Sequence, residues 1–143
     1  MLFDKDDQWR YTTIARRRRT PDASFEGEDE MIAEAMALHP ELDPIWEQGE
    51  LSASPQEVNG TVVNPFIHTA LHVVIEKQVQ DKSPVEVVET LNTLTTRGMD
   101  RHEVVHRIAE LYAHVYFTTF RRGQSFEETS YTELLKQLGS SEG

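Results

Sequence analysis

The sequence predicts an all-α fold, a bundle of four main helices with an N-terminal helical arm. Three observations lead there. Apolar residues recur at helical spacing. Helix-start signatures of the cap-x-x-Glu or cap-Pro kind recur through the second half. No segment of useful length alternates apolar and polar residues as a half-buried strand does.

In chain order, residues 6–18 read as an amphipathic helix anchored by Trp9 and Ile14. Glu28 to Leu38 reads as a second, stopped by His39-Pro40, because the residue before a proline is pushed out of helical conformation. Asp43-Pro44 opens a short helical turn through Trp46. Residues 49–63, from Gly49 through Asn59-Gly60, read as a loop in which Thr61-Val62-Val63 is too short to count as a strand. Asn64-Pro65 is an N-cap with proline at the first helical position, starting a helix over 65–80. Ser83-Pro84-Val85-Glu86 reads as a capping box for 84–97, Asp100-Arg101-His102-Glu103 for 101–121, and Ser125-Phe126-Glu127-Glu128 for 126–138. Gly98, Gly123 and Gly139 stand where helix ends are expected. The whole reads as one domain, 1–143. Residues 1–27 form an arm hinged near Gly27 and the Glu26 to Glu30 cluster, 28–139 the core and 140–143 a frayed tail.

The 143 residues include no cysteine, which excludes disulfides, thiolate metal sites and cysteine catalysis. Any metal must be held by imidazole and carboxylate. No apolar run approaches the roughly 20 residues needed to span a membrane, and the start lacks the apolar core of a secretory signal. A cytoplasmic location is the default expectation, with no membrane partner. The net charge is −11, yet residues 1–20 hold six basic and three acidic residues, so the remaining chain carries 8 basic against 22 acidic. Such a body repels nucleic acid. Only the run Arg16, Arg17, Arg18, Arg19 has the charge to attract it, and its bland reading is a solvated helix end pairing with Glu26 to Glu30. There is no P-loop, no glycine-rich dinucleotide turn and no serine nucleophile elbow.

Four of the six histidines fall into a repeat. Residues 68–76 and 102–110 each read His-x3-His-x3-Glu, offset by 34 residues. A step of four advances a helix by about 400°, a drift of about 40° per step. His68, His72 and Glu76 therefore share one face, as do His102, His106 and Glu110. Two histidines so spaced can grip one metal ion, and the glutamate one turn on can be a third ligand or a bridge. On the first helix Ile67, Leu71, Val74, Ile75 and Val79 form the apolar arc, with the strip along its edge. On the second, Val105, Ala109, Ala113 and Phe117 flank the histidines. Buried imidazole and carboxylate are costly unless paired or metallated. These six residues are the candidate ligands of a mono- or dinuclear site for a divalent metal ion, zinc or iron foremost. The bland reading is a hydrogen-bonded ladder that fixes helix register.

His102-Glu103-x-x-His106 also matches the zinc-protease motif, but Glu103 sits where a capping-box carboxylate belongs and the first strip has Thr69 there instead. His114 reads as solvated. His39, at a helix end, either meets the last carbonyls or completes a site from a neighbouring helix.

Ala37-Leu38-His39-Pro40-Glu41, Asn64-Pro65-Phe66-Ile67-His68-x3-His72-x3-Glu76 and His102-x3-His106-x3-Glu110 together resemble the bacterial domain of unknown function 1841 family. The resemblance spans most of the chain. It implies a small cytoplasmic bacterial protein, carries no established activity, and draws attention to His39 through the His-Pro-Glu turn. The expected function is metal binding, with catalysis undecided between none, metal-assisted hydrolysis and redox chemistry. The alternative is an interaction module whose arginine arm docks on an acidic partner, protein or RNA. Homo-oligomerisation stays open.

Overall fold

The computed structural model describes residues 5–46, 56–58 and 61–141. The loop expected over 49–55, the Asn59-Gly60 pair and the last two residues of the expected tail lie outside the described residues. The class is all-α, as the sequence predicts. Seven α-helices appear among the described residues: α1 Lys5–Arg17, α2 Glu28–Ala37, α3 Asp43–Trp46, α4 Pro65–Asp81, α5 Val85–Thr96, α6 Arg101–Arg121 and α7 Glu128–Ser141. A 3-10 turn, Pro40–Leu42, precedes α3. No helix among the described residues is long and apolar enough to cross a membrane.

One departure is a short antiparallel hairpin, β1 Gln56–Val58 with β2 Thr61–Val63, where the sequence reading had loop. Val58 pairs with Thr61, so only Asn59-Gly60 separates the strands. Asn-Gly is the strongest short hairpin signal, because both residues accept positive φ. The signal was legible and was outweighed by the shortness of the strands.

The chain gathers into two compact units, Met1–Val73 and Val74–Gly143. The first is built on a core of Tyr11, Ile14 and Ala15 from α1, Ile32, Ala35 and Met36 from α2, Leu42, Ile45 and Trp46, and Phe66, Ala70 and Val73 from α4. The spacing 11/14/15 is one helical face. It corrects the expected anchor: Trp9 lies outside that face and is 71% exposed, while Ile14 is buried as expected. The Tyr11 ring meets Phe66 edge-on at 5.0 Å. Such a pair adds about 0.5–1.5 kcal/mol beyond its area. On α4 the buried face runs through Phe66, Thr69, Ala70, Val73 and Ile75 and takes in His72, whereas Ile67, Leu71, Val74 and Val79 are only half-buried. The helix is thus rotated from the expected arc, and the histidine strip moves off its edge and inward.

In the second unit α5 buries Val87, Thr90, Leu91 and Leu94, again one helical face, and packs on α7 and α6. Tyr131 and Leu135 of α7 are fully buried. The Thr90 hydroxyl donates to the Leu135 carbonyl at 3.1 Å, and the Arg97 guanidinium donates to the Gly139 carbonyl at 2.7 Å. Tyr112 stacks on Phe126 at 4.8 Å and meets Tyr131 edge-on at 5.5 Å.

The helix signals fare unevenly. Asn64 caps α4 by accepting the Ile67 N–H at 3.1 Å, and Asp100 caps α6 by accepting from Glu103 N–H at 3.3 Å. Gly98 and Gly123 have positive φ, and Met99 N–H to Leu94 carbonyl and Gln124 N–H to Thr119 carbonyl complete two Schellman ends. Ser83 is no cap: Pro84, in extended conformation, holds that position without a side-chain hydrogen bond. The last helix begins at Glu128 rather than 126, with the Glu127 carboxylate accepting from the Ser130 hydroxyl at 2.9 Å. It runs through Gly139 to Ser141, so the helix end expected at Gly139 is corrected.

Candidate metal centre

Three imidazoles of the first unit converge. His68 and His72, one turn apart on α4, have ring centroids 5.0 Å apart. The third ring comes from His39, which follows α2. Its N–H donates to the Met36 carbonyl at 3.0 Å, and its own carbonyl accepts from Leu42 N–H at 3.0 Å. The residue is thus fixed between the end of α2 and the 3-10 turn. Pro40 both prevents the helix from continuing and starts that turn. His39 Nε2 lies 3.1 Å from His68 Nε2 and 3.3 Å from His72 Nε2. His39 and His72 are buried, at 8% and 2% exposure, and His68 is half-buried.

Proton bookkeeping makes this arrangement unusual. His39 Nδ1 lies 3.0 Å from a Glu41 carboxylate oxygen, a contact that calls for Nδ1–H as donor. In neutral imidazole the other nitrogen then has only an in-plane lone pair. That lone pair faces two further Nε2 atoms at once. A two-centre N–H···N bond joins it to one of them, and a shared hydrogen bond joins it to both. A cation placed among the three satisfies all. A carboxylate orienting a histidine whose far nitrogen ligates metal is the standard outer-shell arrangement. Tetrahedral coordination with metal–nitrogen bonds of about 2.0–2.1 Å separates the ligand atoms by about 3.3 Å. The His39 distances come close to that edge, and the ligand atoms of His39, His68 and His72 lie within 4.8 Å of one another. The hydrogen bond with His39 holds the Glu41 carboxyl below the ordinary carboxylate range.

In the second unit, His102 and His106 repeat the one-turn spacing on α6, their Nε2 atoms 3.0 Å apart and their rings edge-on at 4.4 Å. Both are half-buried. Here a single N–H···N bond accounts for the contact.

The glutamates of the strips have other surroundings. Both Glu76 carboxylate oxygens accept from Arg101, at 2.9 and 3.1 Å. Glu110 is exposed. Glu103, the candidate base of the protease motif, is exposed and pairs with Arg107 one turn on at 3.3 Å. His114 is exposed, as expected of a solvated residue. The Glu26 to Glu30 cluster meets Arg10, with Arg10 Nε donating to Asp29 at 2.8 Å and a contact to Glu28 at 3.4 Å. The residues that spacing alone did not place in the set are His39 and Glu41. Their signal was the His-Pro-Glu turn.

A family model described as a domain of unknown function (DUF1841) matches residues 4–137. The chain belongs to that family. The DUF1841 match covers every histidine of the two strips together with His39 and Glu41. No curated protein and no solved structure shows detectable similarity to this DUF1841 chain.

Proposed function

We propose that this protein binds a divalent transition-metal ion through His39, His68 and His72, with Glu41 orienting His39. The observation that carries the reading is the His39 ring. Its Nδ1 side is committed to Glu41, and its Nε2 lone pair faces two other imidazoles. An all-imidazole set suits zinc and iron, and also copper and nickel. The repeat in the sequence nominates His102 and His106 as a second pair of imidazole ligands, in a mono- or dinuclear arrangement, while the Arg101 pairing of Glu76 and the exposure of Glu110 argue for imidazole rather than carboxylate ligation. A water in any remaining position gives the ion the means for metal-assisted hydrolysis or, with iron, redox chemistry.

The test is metal content across variants. Wild-type protein purified without chelators carries close to one zinc or iron per chain. His39→Ala and His72→Ala lose it while remaining folded. His106→Ala loses it as well if the second strip belongs to the set, and retains it if three imidazoles suffice. Wild-type protein that takes up no added metal rejects the reading and leaves a hydrogen-bonded ladder, the role that the His102–His106 contact already fits.

A further inference from the structure

The arginine run is not used by the metal reading, and the structure divides it. Arg17 faces its own unit: its guanidinium lies 5.0 Å over the Phe25 ring and donates to the Ser24 carbonyl at 3.4 Å. Arg18 pairs with the Asp43 carboxylate at 3.2 Å. Arg16 and Arg19, one turn apart, instead line a cleft of about 170 Å³ with Thr12, Ala15 and Trp46. Arg19 Nη2 donates to the Asp43 carbonyl at 2.9 Å, which sets the position of its guanidinium at the cleft wall. Arg16 meets no carboxylate among the described residues.

We propose that this cleft binds a phosphate-type oxyanion between Arg16 and Arg19. Guanidinium is planar, permanently charged and shaped for two parallel bonds to such a group. Buried Trp46 supplies a rigid wall, and the Thr12 hydroxyl at the cleft donates its proton to the Trp9 carbonyl at 3.0 Å, which leaves the anion to the two guanidinium groups. The volume is enough for one tetrahedral anion. Among the described residues, two features oppose an anion, and each is partly offset. The C-terminal end of α1 carries partial negative charge, but its last carbonyls accept from Arg18, Arg19 and Thr20 N–H groups. Asp43 is an acidic neighbour among the described residues, and Arg18 pairs with its carboxylate at 3.2 Å. The surrounding first 20 residues are net basic, within a chain that is otherwise strongly acidic. The attraction is therefore local to this cleft, which favours a single group over a long polyanion.

The experiment titrates the full chain with inorganic phosphate at constant ionic strength, followed by amide NMR shifts. Saturable shifts are expected at residues 12–19 and 46. Arg16→Gln, an exposed residue that can change without disturbing the core, weakens binding by about tenfold or more, as loss of a charge-assisted bond implies. Arg17→Gln binds within about twofold of wild type, since that guanidinium is turned to Phe25. A parallel titration with a short single-stranded RNA identifies the source. Affinity that rises with oligonucleotide length and keeps the Arg16 dependence assigns the phosphate to a nucleic-acid backbone; no rise assigns it to a free or mononucleotide phosphate. Shifts reproduced by chloride at equal ionic strength, or an Arg16→Gln protein that binds like wild type, overturn the proposal.

Discussion

The Nε2 atoms of His39 and His68 lie 3.1 Å apart across 29 residues of sequence. His39 reaches that position only because α2 ends at Pro40 and the following turn holds the ring toward α4. Two ring nitrogens at this distance need either a shared proton or a shared cation. Glu41 faces the other ring nitrogen of His39, and His72 Nε2 approaches the same His39 Nε2 at 3.3 Å, so three ring nitrogens meet at one point.

On the proposed metal reading, removing the Glu41 carboxylate weakens metal binding without abolishing it. Glu41→Gln lowers affinity by about 10- to 100-fold, the usual effect of losing a carboxylate that orients a ligating histidine. Competition with a chromophoric chelator reads this directly. A Glu41→Gln protein with unchanged affinity argues that His39 is not a ligand.

Metal removal lowers thermal stability. A ligand held at 100 times its Kd contributes about 2.7 kcal/mol to the folded state, which for a chain of this size corresponds to a melting shift of roughly 5–10 °C. Chelator treatment produces that shift in wild type and none in His72→Ala, as differential scanning calorimetry can establish.

Glu76 is expected to be dispensable for metal. Its two oxygens are engaged by Arg101 in a largely exposed pair, and such pairs contribute about 0.2–1 kcal/mol. Glu76→Gln thus keeps full metal content and loses at most about 1 kcal/mol in denaturant unfolding. Loss of metal in this variant restores the carboxylate to the ligand set.

Stability also falls at alkaline pH, through Tyr131. Burial pushes its hydroxyl well above the ordinary tyrosine range, against the small opposing effect of its bond to Gln78. In the unfolded chain the phenol ionises near about pH 10. The folded state keeps its proton beyond that point, so the contribution is complete below pH 10 and declines above it, by up to about 1.4 kcal/mol per pH unit. Tyr11, raised by burial in the same direction, steepens the decline. Tyr131→Phe loses the 2.6 Å bond to Gln78 Oε1, which costs about 1 kcal/mol at neutral pH, and shows a shallower alkaline limb in urea unfolding at pH 9 to 11. A limb as steep as wild type contradicts the assignment.

Legibility followed the range of the interaction. Asn64, Asp100, Gly98 and Gly123 act within one turn of backbone, and the sequence reading placed each correctly. Ser83 carries an equally good local signature, yet Pro84 takes the cap position. Gly139 reads as a helix end because glycine weakens helices, but α7 continues through it, with the Arg97 guanidinium on the Gly139 carbonyl. Trp9 shows that an aromatic residue is no anchor when the face set by Tyr11, Ile14 and Ala15 leaves it outside. The same division holds at the site. His68 with His72, and His102 with His106, were visible from helical spacing. His39 meets its partners 29 and 33 residues away, information that periodicity does not hold. Arg101, which occupies Glu76, is likewise a distant partner that no local pattern announces.

The most direct test of the metal centre is elemental analysis of untagged protein, prepared without chelators, by mass spectrometry of wild type beside His39→Ala. The account predicts near-stoichiometric zinc or iron in wild type and its loss in His39→Ala. Wild-type protein that is metal-free and takes up none of the added divalent metals contradicts it.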